Sequence, residues 1–172
     1  MLQVGDQLPA VTLYEYVPAD GGECALGPDP VDTAKAAAGK TIVLFAVPGA
    51  FTPGCSEQHM PGYLEHYDAL KAAGADEIWC TSTNDAFVMG YWGKAQGAQG
   101  KVRMLADGDG ALMQATGLKL DMTGKGFGVR SQRYSALVRD GRIVTLNVEA
   151  QGEVNVSDAA TMLAQLKANP KA

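Results

Sequence analysis

Hydrophobic positions along this chain follow two rhythms. Residues 41–47 form an unbroken apolar run that Pro48 and Gly49 end, which predicts a central strand buried on both faces. From Pro53 the period becomes helical. Met60, Tyr63, Leu64, Tyr67 and Leu70 fall on one stripe, and Gly74 closes the predicted helix. Residues 76–81 read as a second buried strand, and Asn84 or Asp85 caps a further helix that runs through Tyr91 and Trp92 and breaks up near Gly97 and Gly100. A short strand over 102–105 and a short helix over 110–116 come next. Residues 134–138 and 143–148, joined through Asp140-Gly141, predict a β-hairpin, because that dipeptide supplies the positive φ of a two-residue turn. The last helix starts at Ser157 and buries Ala159, Met162, Leu163 and Leu166. Upstream, residues 11–16 form a short strand, and residues 18–30, punctuated by Gly21, Gly22, Gly27 and Pro28, are an excursion within the domain. This order implies an α/β fold with a mixed central sheet and helices on both faces.

Composition narrows the classes. At 172 residues the chain predicts one domain spanning 1–172, large enough to bury a core without disulfide staples. With 47% hydrophobic and 19% charged residues it is ordinary globular material rather than a disordered segment. Lys plus Arg is 14 and Asp plus Glu is 19, a net charge of −5, which argues against nucleic acid or an anionic membrane surface as partner. No window approaches the ~18 apolar residues of a membrane span, and the N-terminal residues do not read as a signal peptide. Three cysteines, Cys24, Cys55 and Cys80, are too few and too scattered for a secreted disulfide framework. A reducing, cytoplasmic location is the expectation.

The chemistry concentrates in Pro48-Gly49-Ala50-Phe51-Thr52-Pro53-Gly54-Cys55, between the buried strand and the amphipathic helix. Thr52 suits the N-cap and Pro53 the first helical position, which makes Cys55 the third. A thiolate there meets free backbone N–H groups and the positive end of the helix dipole, and the strand exit is where α/β domains build their sites. A nucleophilic cysteine follows, although a free cysteine on a helix is more often a small buried hydrophobe. His59 and His66 invite a metal reading. Together with Cys55 they lie within about 40° on a helix, but Cys55 and His66 are roughly 16 Å apart along its axis. Two ligands do not make a zinc site, so no metal is expected, His59 is an electrostatic or packing neighbour of the thiol, and His66 belongs to the surface.

The segment 48–55 resembles the Pro-x-x-x-Thr-x-x-Cys motif of peroxiredoxins, in the form typical of the type II, peroxiredoxin-5-like subfamily with His four residues after the Cys. Asn84-Asp85-Ala86-Phe87-Val88, Trp92-Gly93, residues 102–107 and Arg133-Tyr134-Ser135 resemble it in the same order and spacing. The resemblance implies a thioredoxin-like fold, whose element order matches the one above, and reduction of hydrogen peroxide and organic hydroperoxides without a cofactor. It makes Cys55 the peroxidatic cysteine, oxidised to a sulfenic acid. Thr52 would hydrogen-bond the thiolate and the peroxide, and Pro48 would shield the site from water. Arg133 would stabilise the thiolate and the leaving oxygen, aided by the backbone N–H groups of Gly54 and Cys55. Arg130 competes with Arg133, and spacing does not choose between them; the Arg-Tyr-Ser context favours Arg133.

The chain departs from many members of the subfamily in one respect. The loop Gly152-Glu153-Val154-Asn155-Val156-Ser157-Asp158 lacks a resolving cysteine. Cys80 is a possible substitute on the following strand, although an inert, buried Cys80 is the stronger expectation. Cys24 reads as incidental. The simplest cycle uses one cysteine, with glutathione, glutaredoxin or thioredoxin as outside reductant. The subfamily implies a homodimer, and some of Tyr63, Tyr67, Phe87, Met89, Tyr91 and Trp92 are candidates for its contact, although aromatic and Met residues at helical spacing are more often core. Two other readings stand beside the peroxidase: a redox-gated binding or holdase protein, and a thiol–disulfide oxidoreductase. The latter is weakened because Thr52-Pro53-Gly54-Cys55 has Thr where a Cys-x-x-Cys motif has its first cysteine.

Overall fold

A computed structural model describes residues 1–19 and 27–171 of the chain. The first strands, β1 (Thr12–Glu15) and β2 (Asp29–Asp32), pair antiparallel, and α1 (Thr33–Ala37) leads into β3 (Thr41–Ala46), all of whose residues are buried. A helical stretch follows: a π turn over Cys55–His59, α2 (Met60–Glu65) and α3 (Tyr67–Ala72). Then come β4 (Glu77–Ser82), α4 (Ala86–Gln96), β5 (Val102–Ala106) and α5 (Ala111–Thr116). The hairpins β6 (Lys119–Met122)/β7 (Gly128–Ser131) and β8 (Tyr134–Arg139)/β9 (Arg142–Val148) precede α6 (Ala159–Ala168).

Among the described residues, seven strands make one mixed sheet in the order β2-β1-β5-β4-β3-β8-β9, and β6 and β7 form a separate ribbon. The centre is parallel, β5-β4-β3, while β8 runs antiparallel to β3. This is the thioredoxin-like arrangement. Alternation along each strand divides the core into two layers. Val43, Phe45, Cys80 and Leu137 face Met60, Tyr63, Trp92 and Met162 from α2, α4 and α6 on one side. Ile42, Leu44, Trp79 and Val138 face Ala37 and Leu112 from α1 and α5 on the other. Helices therefore cover both faces, as the pattern of elements predicts.

Several elements differ from the sequence reading for local reasons. The predicted helix from Pro53 to Gly74 is interrupted twice, by the π turn and at His66. Gly74 does end it, at φ 112°. The last helix is capped by Asp158, whose carboxylate accepts from the Thr161 N–H at 3.1 Å, and not by Ser157. Leu163 on that helix is only half-buried. The turn at Asp140-Gly141 is as expected, with φ of 48° and 76°. β2, α1, β6 and β7 have no counterpart in the sequence reading. Each is four or five residues long, and the strands among them lack a fully buried face to impose a period-two pattern.

Candidate active site

Pro53 opens the helix and Cys55 is its third residue, fully buried against the sheet. The first turn is wide, closed by the Met60 N–H on the Cys55 carbonyl. Pro61 gives the reason. It has no N–H for the Glu57 carbonyl, and its ring would collide with that carbonyl in regular α geometry. Thr52 holds the cap position through its backbone, accepting the Ser56 N–H at 2.9 Å. Its hydroxyl departs from the expected side-chain cap and donates to the Gly49 carbonyl at 2.7 Å. The hydroxyl's one proton is thereby committed, and its oxygen remains an acceptor.

Arg133 lies between β7 and β8, and the antiparallel pairing of β8 with β3 brings it to the edge where β3 delivers the helix. One guanidinium nitrogen, Nη2, donates to Cys55 Sγ at 3.2 Å, and Nη1 donates to His59 Nδ1 at 2.9 Å. Gly54 makes room for this approach, because a Cβ there would sit 3.3 Å from Nη2. Arg130 takes the other role open to an arginine. It donates from Nε to the Phe127 carbonyl at 2.8 Å and from Nη1 to the Pro48 carbonyl at 3.4 Å. The geometry thus separates the two arginines, with Arg133 on the sulfur.

His59 is buried beside Phe45 and Tyr63. A guanidinium only donates, so Nδ1 is the acceptor and the ring proton sits on Nε2, which donates to the Ser157 carbonyl at 2.9 Å. Burial lowers its pKa from 6.5 to about 4. The Ser157 bond and the negative Glu149 and Asp158 oppose the shift, while Arg133 adds to it. The unfolded chain therefore takes up a proton near 6.5 that the folded chain refuses until about 4, so stability falls as pH drops through that window. His59 alone is expected to remove about 3 kcal/mol across it. Denaturant unfolding followed from about pH 7 to pH 4 should show a steeper loss for the wild type than for His59→Gln; equal slopes would refute the assignment.

The loop before the helix is tied to the sheet by Asn84, which the sequence reading placed as a possible cap and within a segment of the resemblance. Asn84 Oδ1 accepts from the Ala50 N–H and from the Ser82 hydroxyl, each at 2.8 Å, while Asp85 caps α4. Phe51 in this loop has φ 63°, a left-handed conformation uncommon for a bulky side chain, and is 57% exposed. A groove of about 370 Å³ lies alongside, lined by Pro48, Arg133, Leu120, Met122, Gln132 and residues 149–152.

Cys80 is buried in β4, opposite Phe45 and Met104 in register, and burial pushes its thiol pKa well up, with Cys55 adding to the shift. Both Cys55 and Cys80 are free thiols. Cys24 lies outside the described residues. His66 is half-buried, its Nδ1 bonded to the Gly62 carbonyl at 2.9 Å across the break between α2 and α3. Of the aromatic and Met candidates for a contact surface, Tyr63, Met89 and Trp92 are core and Tyr67 is half-buried, while Phe87 and Tyr91 are 48% and 54% exposed. Sequence reasoning passed over Glu149 and read Ser157 only as the start of the last helix and the end of the cysteine-free loop. Glu149 is buried and accepts the Ser157 N–H at 2.7 Å and the Ser157 hydroxyl at 2.9 Å. Its one local signal is an acidic residue just beyond an apolar strand, which is indistinguishable from a solvated loop.

The Redoxin family model matches residues 3–163. Peroxiredoxin-2B of Arabidopsis thaliana is 42% identical over 165 residues, covering 96% of this chain and 98% of its own length. Peroxiredoxin-2E-2, chloroplastic, of Oryza sativa subsp. japonica is 45% identical over 168 residues, covering 96% of this chain and 72% of its own. The crystal structure of reduced Prx3 in complex with hydrogen peroxide from Vibrio vulnificus is similar at 47% identity and TM-score 0.87, covering 96% of this chain and 99% of that one.

Proposed function

Since this chain belongs to the Redoxin family, as a thiol peroxidase of the type II, peroxiredoxin-5-like kind, we propose that its catalytic cycle runs on Cys55 alone and is completed by an outside thiol. The observation that carries the assignment of roles is the Arg133 guanidinium 3.2 Å from Cys55 Sγ, at the first turn of a helix. A guanidinium at that distance donates to the attacking sulfur and draws charge toward the oxygen that leaves.

Cys55 has no exposed surface, so the peroxide enters between Pro48 and Arg133 from the adjoining groove. The thiolate attacks one peroxide oxygen in line. An S–O bond forms as the O–O bond breaks, and the far oxygen departs with the electron pair as hydroxide or alkoxide, which a proton converts to water or alcohol. Sulfur loses two electrons and becomes the sulfenic acid. Arg133 and the backbone N–H groups of Gly54 and Cys55 serve as donors to the separating oxygens. Thr52, its proton held by Gly49, accepts the O–H of the bound peroxide.

Reduction then requires two outside thiols. The first attacks the sulfenic sulfur and displaces water, leaving a mixed disulfide, and the second releases the Cys55 thiolate. Glutathione, glutaredoxin or thioredoxin would serve. Two features support an external reductant: the cysteine-free loop 152–158 and the burial of Cys80. A second copy of this chain is the proposed structural partner, a reading supported by the exposed Phe51, Phe87 and Tyr91.

One equivalent of hydrogen peroxide added to the reduced protein, read by intact mass and thiol count, tests the cycle. The expected product carries one extra oxygen on Cys55 with the other thiols intact. Loss of two thiols without added oxygen, abolished in Cys80→Ser, would transfer the resolving role to Cys80 and overturn the one-cysteine reading. Native mass of the same sample reads the dimer, and a monomer would refute it.

A further inference from the structure

The hydrogen bonds that begin at the Arg133 guanidinium close on themselves. Nη1 donates to His59 Nδ1 at 2.9 Å, and His59 Nε2 donates to the Ser157 carbonyl at 2.9 Å, with the Ser157 hydroxyl 3.3 Å from the same nitrogen. Ser157 N–H and O–H both end on Glu149 Oε1, at 2.7 and 2.9 Å. The Glu149 N–H completes the circuit by donating to the Arg133 carbonyl at 3.0 Å. The same Oε1 also takes the N–H groups of Asn155 and Val156, each at 2.6 Å, so one oxygen gathers four hydrogen bonds.

We propose that Glu149 is a positioning residue for the peroxide reaction, holding the Arg133 guanidinium on the Cys55 sulfur through Ser157 and His59. The inference rests on the peroxidase reading above and adds to it a residue remote from the reacting atoms. An arginine side chain has many rotamers, and its charge assists a displacement only where it is aimed. His59 can aim it only as the neutral ring with its proton on Nε2, and a carbonyl, which only accepts, dictates that tautomer. The Ser157 carbonyl must therefore be fixed in space. Glu149 fixes the chain just before it. Tyr63, stacked on Phe45 at 4.0 Å, donates its hydroxyl to the same carbonyl at 2.8 Å. The charged groups around His59 are Arg133, Glu149 and Asp158. Burial alone would push the Glu149 carboxyl up, but the hydrogen bonds from Ser157, Val156 and Asn155 together hold it below its ordinary range, so it stays ionised at neutral pH.

The test uses the full chain with Glu149→Ala and Glu149→Gln, each alone and combined with Arg133→Lys. Two quantities are read: the rate constant with hydrogen peroxide and the pH profile of Cys55 alkylation by iodoacetamide. Glu149→Ala is expected to slow the peroxide step about tenfold and to move the alkylation profile toward alkaline pH. Glu149→Gln keeps an acceptor oxygen and recovers most of both. In the Arg133→Lys background Glu149→Ala adds no further loss, because the group it positions is already gone. An unchanged profile and rate in Glu149→Ala would overturn the proposal. So would an equal loss in both backgrounds, which marks general loosening of the loop. If Glu149→Ala does not fold, His59→Leu, which removes the acceptor for Arg133 along with the donor toward Ser157, carries the same expectations. A wild type that consumes no peroxide defeats the peroxidase reading, while the alkylation profile still decides whether Glu149 positions Arg133.

Discussion

Cys55→Ser is expected to reduce peroxide consumption to the uncatalysed background, a loss on the order of 10⁶-fold, as when a covalent nucleophile is deleted. Two separate deficiencies make the effect near total. A serine hydroxyl stays protonated at neutral pH even with the Arg133 cation beside it, so the attacking anion is missing. Oxygen also has no counterpart to the sulfenic state, so no two-electron oxidation can be stored and returned. The substitution is nearly isosteric, and a buried hydroxyl still accepts from Arg133, which should preserve the fold and isolate the chemistry. Cys80→Ser is the companion control and should retain turnover. Peroxide loss measured with a reductant in excess settles both: activity of Cys55→Ser within tenfold of wild type would refute the assignment of the nucleophile.

Arg133→Lys carries the second largest expected effect, a fall in the peroxide rate constant of roughly 10²–10³-fold. The charge survives in this variant, so the loss measures geometry. Arginine reaches Cys55 Sγ with one nitrogen and His59 Nδ1 with another, at 3.2 and 2.9 Å, because its planar fork presents donors in fixed directions. An ammonium is a point charge on a flexible stem and cannot occupy both places. It would also leave the buried His59 nitrogen without its donor, which costs about 1–3 kcal/mol of stability. Arg133→Ala should lose more than Arg133→Lys. Arg130→Lys should lose little, since Arg130 is spent on the Phe127 and Pro48 carbonyls. Stopped-flow rates for the three variants give the order, and an Arg130→Lys as slow as Arg133→Lys would reverse the assignment.

What could be read along the chain was whatever a contiguous stretch determines. The apolar run 41–47 allows only a doubly buried strand, Asp140-Gly141 only a tight turn, and Thr52-Pro53 before a helical stripe places Cys55 on the first turn. The π turn escaped because Pro61 sits past the motif, and its missing N–H acts backward on Glu57. Short edge elements such as β2 escaped because Asp29-Pro30-Val31-Asp32 has no periodicity to detect. The partners of the site's supporting residues escaped for a different reason. Asn84 meets Ala50 at a separation of 34 residues, and His59 meets Ser157 at 98, so their roles exist only once the sheet has assembled. The type II resemblance supplied Arg133 where spacing left Arg130 open. It did not supply Glu149.

The placement of the guanidinium has a consequence for the life of the chain before it is complete. Cys55 and Arg133 are 78 residues apart, and they meet because β8 docks against β3. A chain still emerging from synthesis presents its cysteine long before it possesses the strand that brings the cation, as does a chain opened by heat at the β3–β8 seam. Until that seam closes, the sulfur is one ordinary thiol among three. The fold thus works as an interlock. Peroxide chemistry is switched on by the same pairing that completes the sheet, and an unfinished or damaged molecule is spared oxidation at the position where the finished one is built to receive it.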